Sequence, residues 1–200
     1  MAKKKAKKRR SKLQKPTTYG EFLILLPCCT DKHSEELYQI LAEAERPEYV
    51  YGKEVPRTLN TITYGQLDDL SRIAKDEDPA VKLFGVLMNL TPAQVYKLNV
   101  FDVFGFANFC RSELSRINKL FEALAPTHTT EEIAAGVKDL NFGTFGVIDW
   151  YARRMGITNQ DEVYSVAWVR IYTCMKNDYE QSEYEKRLNK QYIDKSKRKR

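Results

Sequence analysis

Two hundred residues, 42% of them hydrophobic and 12% aromatic, exclude a chain disordered by composition and suffice for one medium domain or two small ones. The net charge of +6 is unevenly placed: residues 1–15 hold nine Lys/Arg and no acid, residues 186–200 hold eight and one acid, and residues 16–185 hold 16 bases against 26 acids. An acidic body argues against a folded nucleic-acid reader, which carries its positive charge on the domain itself.

Lys3, Lys4, Lys5, Lys7, Lys8, Arg9 and Arg10 head a basic arm over residues 1–15, where like charges repel. It reads as a flexible tail, either solubilising or binding polyanions by neutralising phosphates. No apolar core follows it, so a secretory signal is not expected and the protein is read as cytoplasmic. No apolar run reaches the roughly 18–20 residues of a membrane span, so no membrane partner is expected.

Tyr19 to Leu26 form a short apolar run closed by Pro27, a strand or a short buried helix, with an exposed segment that docks on a partner as the functional alternative. Thr30 or Asp31 caps a helix to about Ala44, with Leu37, Tyr38, Ile40 and Leu41 as its apolar stripe. Residues 47–60, with Pro47, Gly52 and Pro56, read as an extended linker and offer a sub-boundary. Leu67, Leu70, Ile73 and Ala74 then follow helical spacing. Asp78-Pro79 starts a second helix, 79–90, apolar on most of its circumference and so expected to be buried on most sides.

Thr91-Pro92 repeats the cap-plus-proline signal for a short helix over 92–98. Residues 99–125 read as one long helix, aromatic in its first half, with Gly105 permitting close approach and Arg111, Arg116 and Lys119 outward. A capped helix through Ala135 ends at Gly136, a glycine-bearing turn covers 141–146, and a helix with Trp150 and Tyr151 stops at Gly156. Thr158 or Asn159 opens the last helix, through Met175. Beyond it the apolar residues thin to Tyr179, Tyr184, Leu188 and Tyr192, either a solvated helix or an oligomer contact; these four are the candidate protein-contact residues. Lys195, Lys197, Arg198, Lys199 and Arg200 close the second basic tail and, with the N-terminal run, are the candidate polyanion-binding residues. The expected architecture is mainly α: a compact multi-helix domain over 16–185, between flexible basic tails at 1–15 and 186–200.

An aromatic-Gly-x-apolar tetrad occurs at Tyr19-Gly20-Glu21-Phe22, Tyr64-Gly65-Gln66-Leu67 and Phe142-Gly143-Thr144-Phe145. Its spacings of 45 and 78 residues are no solenoid period, and it marks turn-to-helix starts where glycine relieves backbone constraint. Phosphate-loop, dinucleotide, zinc-protease and hydrolase signatures do not occur. Cys28, Cys29 and His33 lack a fourth ligand and the usual zinc spacing, so buried structural thiols are the better reading, with no metal and no cofactor expected. Asp76, Glu77 and Asp78 suit a helix N-terminus. Asp68 and Asp69 point about a hundred degrees apart on a helix and make a poor bidentate pair. Only His33 and His128 could exchange protons near neutral pH, and no catalytic residues are nominated.

Two stretches resemble the tail assembly chaperones of long-tailed bacteriophages. One is TITYGQLDDLSRIAKDEDPAVKLFGVLMNLTPAQVYKL at 61–98, with its aromatic-Gly-Gln phrase, short acidic helix, Asp-Pro-led buried helix and Thr-Pro start. The other is IDWYARRMGITNQDEVYSVAWVRIYTCMKNDYEQSEYEKRL at 148–188, where an apolar helix gives way to a charged, Tyr-bearing end. Together they cover roughly 80 residues, and the basic arm stands outside the pattern. The resemblance implies a non-enzymatic viral scaffold in the host cytoplasm that coats the tape measure protein and helps recruit tube subunits. The expected partner is the tape measure or another virion protein, with a homo-oligomer as a further expectation. The alternative is a virion-associated or nucleic-acid-associated protein that holds polyanions on its basic tails.

Overall fold

One two-stranded hairpin aside, the regular structure of the described residues is helical. The structure, a computed structural model, describes residues 17–73, 77–140 and 142–198, so the basic arm 1–15 lies outside it. The chain divides into two units, Met1–Arg57 with Arg72–Glu113, and Thr58–Ser71 with Leu114–Arg200.

In the first unit, helix α1 (Tyr19–Leu25) starts at Thr18, whose hydroxyl accepts from the Glu21 N–H while the Glu21 carboxylate accepts from the Thr18 N–H. That reciprocal cap settles the apolar run as helix rather than strand. Only Tyr19 and Phe22, one turn apart, are buried on it. A 3-10 turn, Leu26–Cys28, leads to α2 (Asp31–Ala42), which buries Leu41 completely and leaves Tyr38 exposed. Asn108 Nδ2 donates to the Leu41 carbonyl at 3.0 Å, satisfying an acceptor that the helix end leaves open.

The segment read as a linker is partly core. Strands β1 (Tyr49–Val50) and β2 (Lys53–Glu54) pair antiparallel through a turn with positive φ at Tyr51 and Gly52, the left-handed pair that suits strand twist. Val50 and Val55 are buried. Lys53 Nζ donates to the Met88 carbonyl at 2.7 Å, at the C-terminal end of α4 (Pro79–Met88). Asp78 caps α4, which ends at Asn89 in the left-handed conformation and buries Leu83, Phe84 and Met88. After α5 (Pro92–Val95) comes α6 (Val100–Glu122), and the division between the units falls on it, between Glu113 and Leu114. The Phe84 and Phe106 rings meet at 4.5 Å between centroids, each fully buried and each worth about 1.5–3 kcal/mol of burial.

The second unit contains α3 (Tyr64–Arg72, up to Ser71), the end of α6, α7 (Thr130–Ala134), α8 (Gly143–Met155) and α9 (Trp168–Lys197). Leu59 and Ile62 are buried here. One helix from Thr158 or Asn159 to Met175 was expected. Instead Asn159 caps a 3-10 helix, Gln160–Ser165, the backbone is extended at Val166, and α9 starts at Trp168. The cause is tertiary: Thr63 pairs with Ala167 as an isolated antiparallel bridge. Trp168 Nε1 donates to the Leu59 carbonyl at 2.7 Å, and its ring lies 6.0 Å from that of Phe121. Residues 186–197 of the basic tail are the last turns of α9.

The same docking device is built twice. In the first unit Thr18 bridges Asn99, the Tyr19 N–H donates to the Leu98 carbonyl at 2.8 Å and the Val100 N–H to the Thr17 carbonyl at 3.0 Å. In the second Thr63 bridges Ala167, the Tyr64 N–H donates to the Val166 carbonyl at 2.8 Å and the Trp168 N–H to the Ile62 carbonyl at 3.3 Å. Both threonines exchange caps with the third helical residue, Glu21 or Gln66. The glycine has the same use in each: a Cβ on Gly20 would sit 3.2 Å from the Tyr96 carbonyl oxygen, and one on Gly65 3.0 Å from that of Tyr164. Each device is completed by a Val-Tyr-x-Leu/Val-x-Val/Trp segment, Val95 to Val100 and Val163 to Trp168. Both segments follow a helix that ends in a left-handed residue, Asn89 or Gly156.

So at Gly20 and Gly65 the glycine permits close approach rather than an unusual backbone. The third tetrad is different. Gly143 has a φ of 52°, nothing lies near its Cβ position, and Phe142 and Phe145 are exposed.

Candidate functional site

A concavity lies in the second unit, where α3, the end of α6 and the start of α8 meet. Tyr64, Leu67, Asp68, Ser71, Asn118, Phe121, Glu122 and Thr144 line a recess of about 290 Å³. Thr144 Oγ1 donates to Asp68 Oδ1 at 2.7 Å, and Ser71 Oγ donates to the Asp68 carbonyl at 2.7 Å. Burial pushes the Tyr64 phenol up to about 12, with the Asp68 charge and Tyr164 adding to it. Tyr64 therefore stays neutral across the physiological range. The recess presents an apolar floor of Leu67 and Phe121 and carboxylates from Asp68 and Glu122, with Asp69, its sequence neighbour, exposed. It suits the reception of an apolar group better than proton transfer, since the Ser71 hydroxyl is committed to backbone and no imidazole lines it.

On α8 and just before it, Leu140, Phe142 and Phe145 are 64%, 70% and 61% exposed, while Thr144 between the phenylalanines lines the recess. Three large apolar side chains within six residues are thus held in water. The aromatic ends of the third tetrad were the sequence signal for this patch. Thr144 and Phe145, expected in a turn, instead lie in the first turn of α8, which starts at Gly143.

The nominated protein-contact residues all lie on α9. Tyr184 and Tyr192 are exposed, Tyr179 and Leu188 half-buried, and Ile193, exposed as well, was missed. Steps of four keep Tyr184, Leu188 and Tyr192 near one side of a continuous helix. Lys195 and Lys197 are exposed on its last turn and Arg198 follows it. Lys3, Lys4, Lys5, Lys7, Lys8, Arg9, Arg10, Lys199 and Arg200 lie outside the described residues.

The thiols differ from expectation. Cys28 and Cys29 are exposed, because the 3-10 turn that carries them contributes nothing to the core, whereas Cys110 is buried and Cys174 half-buried. Among the described residues no cluster of three or more His, Cys, Asp or Glu could hold a metal ion. His33 shares a hydrogen bond with Thr30 Oγ1, and His128 Nδ1 lies 3.7 Å from Glu132 Oε2. No helix among the described residues is long and apolar enough to cross a membrane. The chain matches no family model, no curated protein and no solved structure.

Proposed function

We propose that this chain is a non-enzymatic helical binding protein that acts in the assembly of long bacteriophage tails, holding the tape measure protein soluble and aiding tube assembly. The observation that supports the reading is the exposed Leu140, Phe142 and Phe145 cluster beside the recess at Asp68 and Phe121. A long helical client offers apolar side chains at helical spacing, and such a helix engages a partner through a few anchors seated in an apolar depression. The resemblance of 61–98 and 148–188 to tail assembly chaperones supplies the client's identity.

The test is a pull-down from cells producing the phage's structural proteins, with mass spectrometry of what is bound. The expected result is recovery of the tape measure protein by the full chain and by a chain lacking residues 1–15 and 189–200, with loss in a Phe142→Asp/Phe145→Asp variant. Recovery of nucleic acid alone, lost with the tails, would overturn this reading and leave the polyanion-binding alternative.

A further inference from the structure

The two docking devices differ where they need not. Five and six residues after its capping threonine, the first carries Leu23 and Ile24, while the second carries Asp68 and Asp69. Because the second device forms with carboxylates at both positions, the docking does not require apolar side chains there. Yet on α1 Ile24 is 74% and Leu25 56% exposed, with Leu23 beside them. Leaving them in water is unfavourable, and an occupant would remove the cost.

The surroundings of this patch and the far end of the chain are complementary. Residues 18–45 hold six acids and one lysine. The end of α9, residues 184–197, holds five bases and two acids around exposed Tyr184, Tyr192 and Ile193. That end is a basic amphipathic helix, and the α1 patch is an apolar surface in an acidic stretch. Helices of this kind seat on such surfaces through residues three and four apart, with charge at the rim selecting the partner and fixing orientation.

We propose that the occupant of the α1 patch is a second copy of this chain: the 184–193 segment of one copy lies on Leu23, Ile24 and Leu25 of the next. The two surfaces are different, so the contact can repeat head-to-tail, each added copy leaving one patch and one helix end open. The apolar area on α1 is small beside that of a stable dimer, so the association is weak and grows with concentration. The inference is independent of the client proposed above.

Purified full-length protein tests it by sedimentation equilibrium up to on the order of 100 µM, where contacts of this size become populated. Wild type is expected to show an average mass rising steadily past the dimer, whereas Ile24→Asp and Tyr192→Asp, each alone, stay at monomer mass. Mixed in equal amounts, the two variants retain one good patch and one good helix end between them. The mixture is expected to form two-copy particles and nothing larger. Both positions are exposed, and circular dichroism checks that the variants fold, with Ile24→Ser as a milder replacement. Monomeric wild type, self-association of either variant, a monomeric mixture or a mixture growing past two copies would each overturn the proposal.

Discussion

The Tyr19 hydroxyl donates to Asp78 Oδ1 at 3.1 Å, and the same oxygen accepts the Val81 N–H at 3.1 Å. One carboxylate thus caps α4 and ties it to the start of α1, 59 residues earlier in sequence. Tyr19→Phe keeps the cap and loses only the tie, about 0.5–1.5 kcal/mol. Asp78→Ala loses both, with the cap adding about 1 kcal/mol. Urea melts of both variants and the double variant should give a coupling energy above about 0.5 kcal/mol; strictly additive losses would show that the bond contributes nothing.

Glycines in two neighbouring helices should respond oppositely to alanine. At Gly85 a Cβ would come no nearer than 3.8 Å to the Leu90 carbonyl oxygen, so Gly85→Ala should stabilise by about 0.5–1 kcal/mol through helix propensity. At Gly105 the Cβ would fall 2.0 Å from the Glu45 carbonyl oxygen, a backbone atom that cannot swing aside. Overpacking of about 1–3 kcal/mol or more outweighs the helical gain there. Thermal melts with opposite signs for the two variants are expected, and equal signs would contradict the packing described.

Trp168→Phe should cost about 0.5–1.5 kcal/mol from the hydrogen bond alone, because the Leu59 carbonyl still accepts from the Ile62 N–H at 3.5 Å. Tyr172→Phe, a change of similar chemistry on the same helix, is the comparison. If both variants melt together, the indole bond does not help to hold the second unit.

Alkali should loosen the fold. Burial, helped by the Glu113 charge, pushes the Cys110 thiol from 9.0 up to about 12, and burial likewise raises Tyr64 from 10.0 to about 12. Both folded values lie above the unfolded ones, so the native state holds its protons longer. The stabilisation is therefore complete below pH 9 and is lost as pH rises from about 9 to about 12. Urea midpoints measured from pH 8 to 12 should fall through that window. Cys110→Ala, weaker at pH 8, should fall less steeply, and a flat profile for wild type would contradict the assignment.

What was legible in the sequence was what local chemistry decides. Asp78-Pro79, Thr91-Pro92, Thr129 with Glu132, and the glycines at 136 and 156 place helix ends close to where they occur. Residues whose conformation is imposed from a distance were not legible. Ala167 is extended because Thr63 lies beside it, and Val50 and Val55 are core because of partners their turn-rich stretch does not advertise. The doubled device was half visible: its tetrads lie 45 residues apart, whereas the segments they dock on lie 68 apart, so a single repeat length could not reveal both. The exposed Phe142 and Phe145 carried an aromatic signal, but only burial distinguishes an open aromatic from a packed one.

Neither unit is a continuous stretch of chain, and this sets an order on synthesis. Thr58–Ser71 leaves the ribosome before the first unit is complete, yet it belongs with Leu114–Arg200. Its Tyr64, Leu67 and Leu70, all buried in the finished protein, cannot reach their bridge at Ala167 until about a hundred further residues have been made. At about 5–20 residues per second that is a wait of about 5–20 s, spent with an apolar helix face uncovered. Asp68 and Asp69 stand on that waiting helix where its counterpart has Leu23 and Ile24, and charges placed so oppose the aggregation of an uncovered apolar stretch.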